Sequence, residues 1–243
     1  MSDVESVKVV LLGESGVGKS SLALRFVTDE FRPYSEATIG ASFMSKSVTI
    51  STSSPPPATT KDFSSWEGGN KNQQEQKQQN GNGDTHAQSI QPQQQQQSRH
   101  VGFKIWDTAG QEKYRSLAPM YYRGSQAAIL VYDITKPGSF AALQDWVDEL
   151  RQNGPADLVL AVCGNKSDLK EDRLVGRSIG EEYSNGIGAL YIETSAKDGD
   201  RVENLFLDVA RRVPPPINMG DDYLEEDGLD LGTVSEHPAA CGC

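Results

Sequence analysis

Short apolar runs alternate along the chain with segments whose apolar residues recur at helical spacing. Residues 7–12 form a mostly apolar run rich in β-branched residues, and residues 127–132 and 158–163 are continuous apolar runs. The latter two predict central strands of a parallel sheet covered on both faces. Residues 42–50 and 101–107 alternate instead, as half-exposed strands do, and 189–192 is a last short strand. Helical periodicity is clear where Phe140, Leu143, Trp146, Val147 and Leu150 share one face, and again for Val202, Leu205, Phe206, Val209 and Val213 until three prolines stop it. Residues 19–27 read as a helix offering Leu22, Leu24 and Phe26. A helix near 181–184 is expected to be short, because Gly180, Gly186 and Gly188 crowd it. The order is βα, a hairpin pair, then βαβαβα. It predicts an α/β fold with helices on both faces of the sheet.

One stretch breaks the pattern. Residues 51–100 contain only Ala58, Phe63, Trp66, Ala87 and Ile90 as hydrophobic residues, amid an Asn/Gln-rich tract and the glutamines of 93–97. Such a composition cannot bury enough apolar surface to fold, so a disordered insertion is expected at the hairpin tip between the second and third strands. Closure entropy grows only logarithmically with loop length, which makes a tip permissive. Phe63-Ser64-Ser65-Trp66 is either a docking motif or an incidental aromatic pair. Residues 1–50 and 101–213 then form one domain, and 214–243 a flexible tail.

Composition sharpens this picture. The 243 residues carry 23 Lys+Arg against 34 Asp+Glu, a net charge of −11, which argues against a nucleic-acid partner. Seven of the acidic residues (Asp221, Asp222, Glu225, Glu226, Asp227, Asp230 and Glu236) lie in the tail, which has no Lys or Arg. Of three cysteines, Cys163 sits in an apolar run and is expected to be buried in a reducing compartment. Cys241 and Cys243 flank Gly242 at the terminus. No secretory signal opens the chain, Ser2 stands where myristoylation needs glycine, and no apolar stretch approaches the ~18–20 residues of a membrane span. These features predict a cytosolic protein unless its C-terminus directs otherwise.

The chemistry lies in loops after strands. Gly13-Glu14-Ser15-Gly16-Val17-Gly18-Lys19-Ser20 fits G-x-x-x-x-G-K-[ST] between a strand and a helix. Its glycines let successive backbone N–H groups wrap phosphate oxygens at a helix N-terminus. Lys19 supplies a point charge to the β- and γ-phosphates, and the Ser20 hydroxyl a ligand for Mg²⁺. Asp107 ends a strand and suits Mg²⁺ binding through water; Gly110 can approach a γ-phosphate without a Cβ in the way; Gln111 can orient a water. Asp-x-x-Gly alone is equally a turn. In Asn165-Lys166-Ser167-Asp168 the aspartate can accept two parallel hydrogen bonds from guanine, which adenine cannot offer. That motif alone is equally a helix-capping turn. Glu193-Thr194-Ser195-Ala196-Lys197 ends the next strand, where backbone N–H groups can reach the guanine O6.

Together these blocks resemble the Ras superfamily of small GTPases, the Rab family in particular. Further similarity lies in Ile39-Gly40-Ala41-Ser42-Phe43, Lys104-Ile105-Trp106-Asp107-Thr108-Ala109-Gly110-Gln111-Glu112, Lys113-Tyr114-Arg115-Ser116-Leu117 and Tyr121-Tyr122-Arg123-Gly124. Ser116 to Gly124, and Phe26-Val27 leading to Ala37 through Phe43, look most like the early-endosomal branch. The resemblance covers residues 6–50 and 101–213. It implies a P-loop small G domain with a six-stranded, mostly parallel sheet.

The resemblance also implies roles. Ser15, Gly16, Val17, Gly18, Lys19, Ser20 and Ser21 would hold phosphates; Asn165, Lys166, Asp168, Ser195, Ala196 and Lys197 the base; Phe31 would pack edge-on against it. Thr38 would join Ser20 and Asp107 around Mg²⁺ in the GTP state. Phe43, Trp106 and Tyr121 match the aromatic triad read by effectors, although ordinary core packing explains Trp106 equally well. Ser15 replaces the glycine of Ras-type loops, and the 51–100 insertion has no counterpart in an ordinary Rab. Cys241-Gly242-Cys243 resembles the ending that receives two geranylgeranyl groups, and two chains anchor stably where one does not. The intervening tail spans about 30 Å as a coil and up to ~90 Å extended. Its charge is repelled by anionic lipid, so targeting cannot rest on tail electrostatics.

The implied protein is a monomeric GTP hydrolase that cycles between GDP and GTP on endosomal or other vesicular membranes. Its implied partners are an exchange factor, a GTPase-activating protein, a prenyl-binding GDP-dissociation inhibitor and effectors. No insertion between Ser20 and Thr38 leaves room for an arginine supplied in cis, so a partner arginine is expected to accelerate hydrolysis about 10³–10⁵-fold. The alternative is a scaffold or condensate component whose G domain is only a regulated tether for the insert.

Overall fold

A computed structural model describes residues 4–51 and 98–215, with residues 112 and 113 described by backbone alone. Strands β1 (Glu5–Leu12), β2 (Ala41–Ser51), β3 (Ser98–Thr108), β4 (Ala127–Asp133), β5 (Val159–Asn165) and β6 (Leu190–Thr194) form one sheet in the order β2-β3-β1-β4-β5-β6. Only the β2–β3 pair is antiparallel. Helices α1 (Lys19–Thr28), α2 (Ala118–Tyr122), α3 (Pro137–Asn153), α4 (Arg177–Ile187) and α5 (Val202–Arg212) complete the fold. None of them is long and apolar enough to cross a membrane.

The two apolar runs behave as a doubly covered sheet demands. Every residue of β4 is buried. Ala127, Ile129 and Val131 face a core shared with α1 and α5, while Ala128, Leu130 and Tyr132 face a second core with α2, α3 and α4. That alternation is the period-2 geometry of a strand with an apolar layer on each side. In the first core Phe26 stacks on Phe206 at 4.0 Å and meets Phe103 edge-on at 5.3 Å. Truncating Phe206 to alanine there would cost about 3–5 kcal/mol. Cys163 is fully buried, as expected, and burial pushes its thiol pKa up to about 12.

Two expectations need adjustment. Helix α4 runs for 11 residues through its glycines. Gly180 is on its buried face, where a Cβ would collide with the Tyr132 hydroxyl and the Tyr191 side chain, so the glycine permits close packing on the sheet. Gly188 ends the helix at φ 72. The hairpin strands also reach beyond residues 50 and 101. Ser51 pairs with Ser98 and Ile50 with Arg99. Arg99 forms a two-pronged ion pair with Glu5 (2.6 and 3.1 Å) and donates to Val213 O at 3.3 Å, just past the end of α5. Residues 52–97, expected to be a disordered insertion, and residues 216–243, expected to be a flexible tail and including Cys241 and Cys243, lie outside the described residues.

Candidate functional site: a phosphate cradle and a base-binding rim

All the motif residues within the described chain emerge at one edge, the C-terminal ends of the parallel strands. In the loop after β1, Gly13, Gly16 and Gly18 all have positive φ (141, 78 and 97). A Cβ on Gly13 would strike the Val131 carbonyl, and one on Gly18 the Asn165 amide. Only glycine fits both the dihedrals and the approach. Val17 is buried and anchors the loop, while Ser15 and Gly16 face solvent and Ser21 lies half-buried in the first turn of α1.

Lys19 opens α1 and is 5% exposed. Its Nζ donates to Gly13 O and Glu14 O, each at 2.8 Å, so the ammonium lies across the inside of the loop. Burial lowers its pKa to about 8, against the opposing charges of Asp107 and Glu14. At the next residue, Ser20 Oγ donates to Asp107 Oδ2 at 2.5 Å and lies 2.7 Å from Thr38 Oγ1. Thr38 and Ser42 hydroxyls approach the same oxygen at 3.4 and 3.3 Å. Asp107 Oδ1 is buried with no hydrogen-bond partner among the described residues. Burial raises the Asp107 pKa, opposed by Ser20 and Lys19. Four oxygen-bearing side chains, those of Ser20, Thr38, Ser42 and Asp107, thus converge beside one ammonium, with a carboxylate oxygen to spare. A hard divalent cation takes such a donor set.

Gly110 lies against the backbone of Glu14 and Ser15, where any Cβ would clash. Gln111 follows, half-buried, at the start of a 3₁₀ turn (Glu112–Leu117). Thr108 locks this strand end by donating from Oγ1 to Leu11 O at 2.6 Å.

The second half of the site is densely bonded, with Asp133 Oδ2 held by an ion pair alone. Asn165 is 1% exposed; its Nδ2 donates to Val17 O at 2.8 Å, and its Oδ1 accepts from Ala196 N–H at 3.2 Å and Thr194 Oγ1 at 3.3 Å. It therefore staples the phosphate loop to the β6 loop. Lys166 has φ 69 and pairs through Nζ with buried Asp133 Oδ2 at 2.7 Å. Burial alone would raise the Asp133 pKa, but Lys166 and Thr135 together hold it below the usual carboxylate value. Asp168 accepts from Ser195 Oγ at 2.7 Å and faces Lys197 at 3.9 Å. Of the backbone donors expected to face the base, Ser195 N–H bonds to Asp200 O and Ala196 N–H to Asn165 Oδ1. Phe31 lies half-buried against the first core.

Trp106 stands between the other two aromatic residues singled out. Its ring lies 5.5 Å from the Phe43 ring and 5.6 Å from the Tyr121 ring. Phe43 is 53% exposed, whereas Trp106 and Tyr121 also pack on the second core. Core packing and a surface role are therefore compatible for Trp106.

Sequence reasoning missed Asp133, Ser42 and Thr108. Asp133 carried a signal, a carboxylate ending a wholly apolar strand. Ser42 and Thr108 are ordinary residues whose partners become visible only in the fold.

Comparison with known proteins agrees with this geometry. A model described as "Ras family" matches residues 72–215, and one for the "Ras of Complex, Roc, domain of DAPkinase" matches residues 8–78. The chain is 42% identical to Ras-related protein Rab-31 of Rattus norvegicus over 237 residues, 97% of this chain and 96% of that protein. It is 42% identical to Ras-related protein Rab-22A of Homo sapiens over 211 residues, 87% and 85% of the two. With 42% identity to such relatives over most of both chains, and a Ras-family match over residues 72–215, the chain belongs to the Ras family, among the Rab GTPases, which hydrolyse GTP and act in membrane trafficking.

Proposed function

We propose that the edge described above binds guanine nucleotide with its phosphates in the loop of residues 13–20 and its base against residues 165–168 and 195–197. The observation that carries this reading is the convergence of Ser20, Thr38 and Asp107 beside the Lys19 ammonium. Mg²⁺ fits that donor set; Ser20 and Thr38 would hold it with Asp107 behind them, and when bound it neutralises phosphate charge.

Gln111 orients a water for in-line attack on the γ-phosphate, while Lys19 and the loop N–H groups stabilise the charge spread over the phosphoryl oxygens. Thr38 follows a stretch, 32–37, in which every residue is exposed, so its bond to Ser20 ties an otherwise loosely held segment to the site. A GTP state that recruits this threonine would order the segment beside Phe43, Trp106 and Tyr121, the surface presented to effectors. Exchange factor, GTPase-activating protein and GDP-dissociation inhibitor complete the cycle. Cys241 and Cys243 carry the lipid that places the monomer on endosomal membranes. The scaffold reading draws no support from fold, site or relatives.

Binding of a fluorescent GDP to the full chain tests the proposal. Retention in excess Mg²⁺ and rapid release in EDTA are expected, with no comparable retention of ADP. Equal release in both buffers would remove Ser20, Thr38 and Asp107 from any cation site.

A further inference from the structure

Arg25 stands in the last turn of α1, outside every motif that carries the chemistry. Its side chain is only 16% exposed, and its guanidinium serves two separate segments. Nε donates to Ala196 O at 2.9 Å and Nη2 to Lys197 O at 2.7 Å, both in the loop assigned to the base. Nη1 turns the other way, to Asp29 O at 2.7 Å and Asp29 Oδ1 at 3.2 Å. Asp29 has φ 59 and donates its own N–H to Arg25 O at 2.9 Å, closing α1 where the segment carrying Phe31 and Thr38 begins. Gly199 packs over the same side chain; a Cβ there would stand 3.7 Å from Arg25 Cδ.

We propose that Arg25 is a positioning residue that fixes the base-binding loop and the root of the 29–38 segment in one frame, and so slows release of guanine nucleotide. The proposal rests on the assignment of residues 165–168 and 195–197 to the base. Ser195 N–H closes the loop on itself through Asp200 O, and Ala196 N–H bonds to Asn165 Oδ1 at the end of β5. Arg25 engages the loop's carbonyls from the α1 side, with an ionised donor, the stronger kind of hydrogen bond. Without it the loop samples conformers that do not bind the base, and apparent affinity falls by the fraction of time spent there. A planar fork with five donors can reach two successive carbonyls and Asp29 together; a lysine ammonium cannot span all three.

The test is release of N-methylanthraniloyl-GDP from the full chain, chased with unlabelled GDP, for wild type, R25A, R25K and D29A, in Mg²⁺ and in EDTA. R25A should release about tenfold faster, the loss of two charge-assisted bonds offset in part by water. The same ratio should hold in EDTA, because the base side acts independently of the cation. R25K should restore part of the retention, and D29A, which leaves both loop bonds in place, should stay within about twofold of wild type. R25A release at the wild-type rate, or an acceleration that vanishes in EDTA, would overturn the role of Arg25 alone. If R25A does not fold, R25K decides, and wild-type release from it overturns the proposal. A wild-type chain that keeps methylanthraniloyl-ADP as long as the GDP analogue would overturn the base assignment, and the Arg25 proposal with it.

Discussion

The two halves of the site are built on opposite plans. On the base side, Asn165, Lys166, Asp168 and Ser195 are each bonded to protein, through Val17, Asp133, Ser195 and Asp198 among others. On the phosphate side, Asp107 keeps a buried oxygen with no hydrogen-bond partner among the described residues, where Asp133 on the base side has the Lys166 ion pair, and Lys19 holds a desolvated charge against two carbonyls. A rim so densely cross-linked is rigid before any ligand arrives, which favours discrimination. A cradle with unmet electrostatic demand gains most when charge is supplied, which suits a part that must respond to the number of phosphates. The contrast separates recognition from switching.

The largest test of that division is on the rim. Asp168→Asn should move preference from guanine toward xanthine nucleotides by about 10⁴-fold, because a site built on paired hydrogen bonds rejects a mismatch steeply. Competition binding of GDP against XDP measures it, and an unmoved ratio would remove Asp168 from base contact. Asn165→Ala comes next. It leaves Val17 O, Thr194 Oγ1 and Ala196 N–H without their partner and should cost about 3–5 kcal/mol in urea unfolding. A cost under about 1 kcal/mol would mean that the rim is not the rigid half.

The cradle is tested by pH. Lys19 titrates at about 8 in the folded chain against 10.5 for the free group, so between these values the unfolded chain binds more protons. Its burial penalty is therefore fully present below pH 8 and is relieved as pH rises toward 10.5. Ligand-free protein should gain about 3 kcal/mol from this group across that window. Lys19→Met should flatten the gain, and parallel stability curves for the two would contradict the desolvated charge. Gln111→Leu has the smallest expected effect. It should leave GTP binding intact while lowering partner-stimulated phosphate release about 10²-fold, the scale set by a misplaced reactant. Unaltered release would assign the water to another residue.

The sequence conveyed the fold where local pattern and tertiary environment agree. The apolar run in β4 could be buried on both faces only in a covered sheet, and it is. The phosphate loop was equally legible, because its glycines meet a backbone requirement that no other residue satisfies. Helix α4 was misjudged because glycine was counted as a helix breaker, whereas the contact of Gly180 with Tyr132 and Tyr191 compensates its propensity cost. Arg25 and Ser42 were illegible for another reason. Arg25 bonds to carbonyls 171 and 172 positions away, and carbonyls belong to every residue type alike. No spacing rule can announce such a partner.

The Arg99 clasp gives the molecule two poles with different freedoms. Arg99 holds Glu5 at the start of β1 and Val213 past the end of α5, eight residues up the strand from Asp107, roughly 26 Å at strand rise. The 52–97 segment departs and returns at that far pole, beside the point from which the C-terminal tail sets out. Sequence can be added, shortened or rewritten there without displacing a single ligand of the phosphate cradle. Distance therefore insulates the phosphate cradle from whatever chain is joined at the other pole.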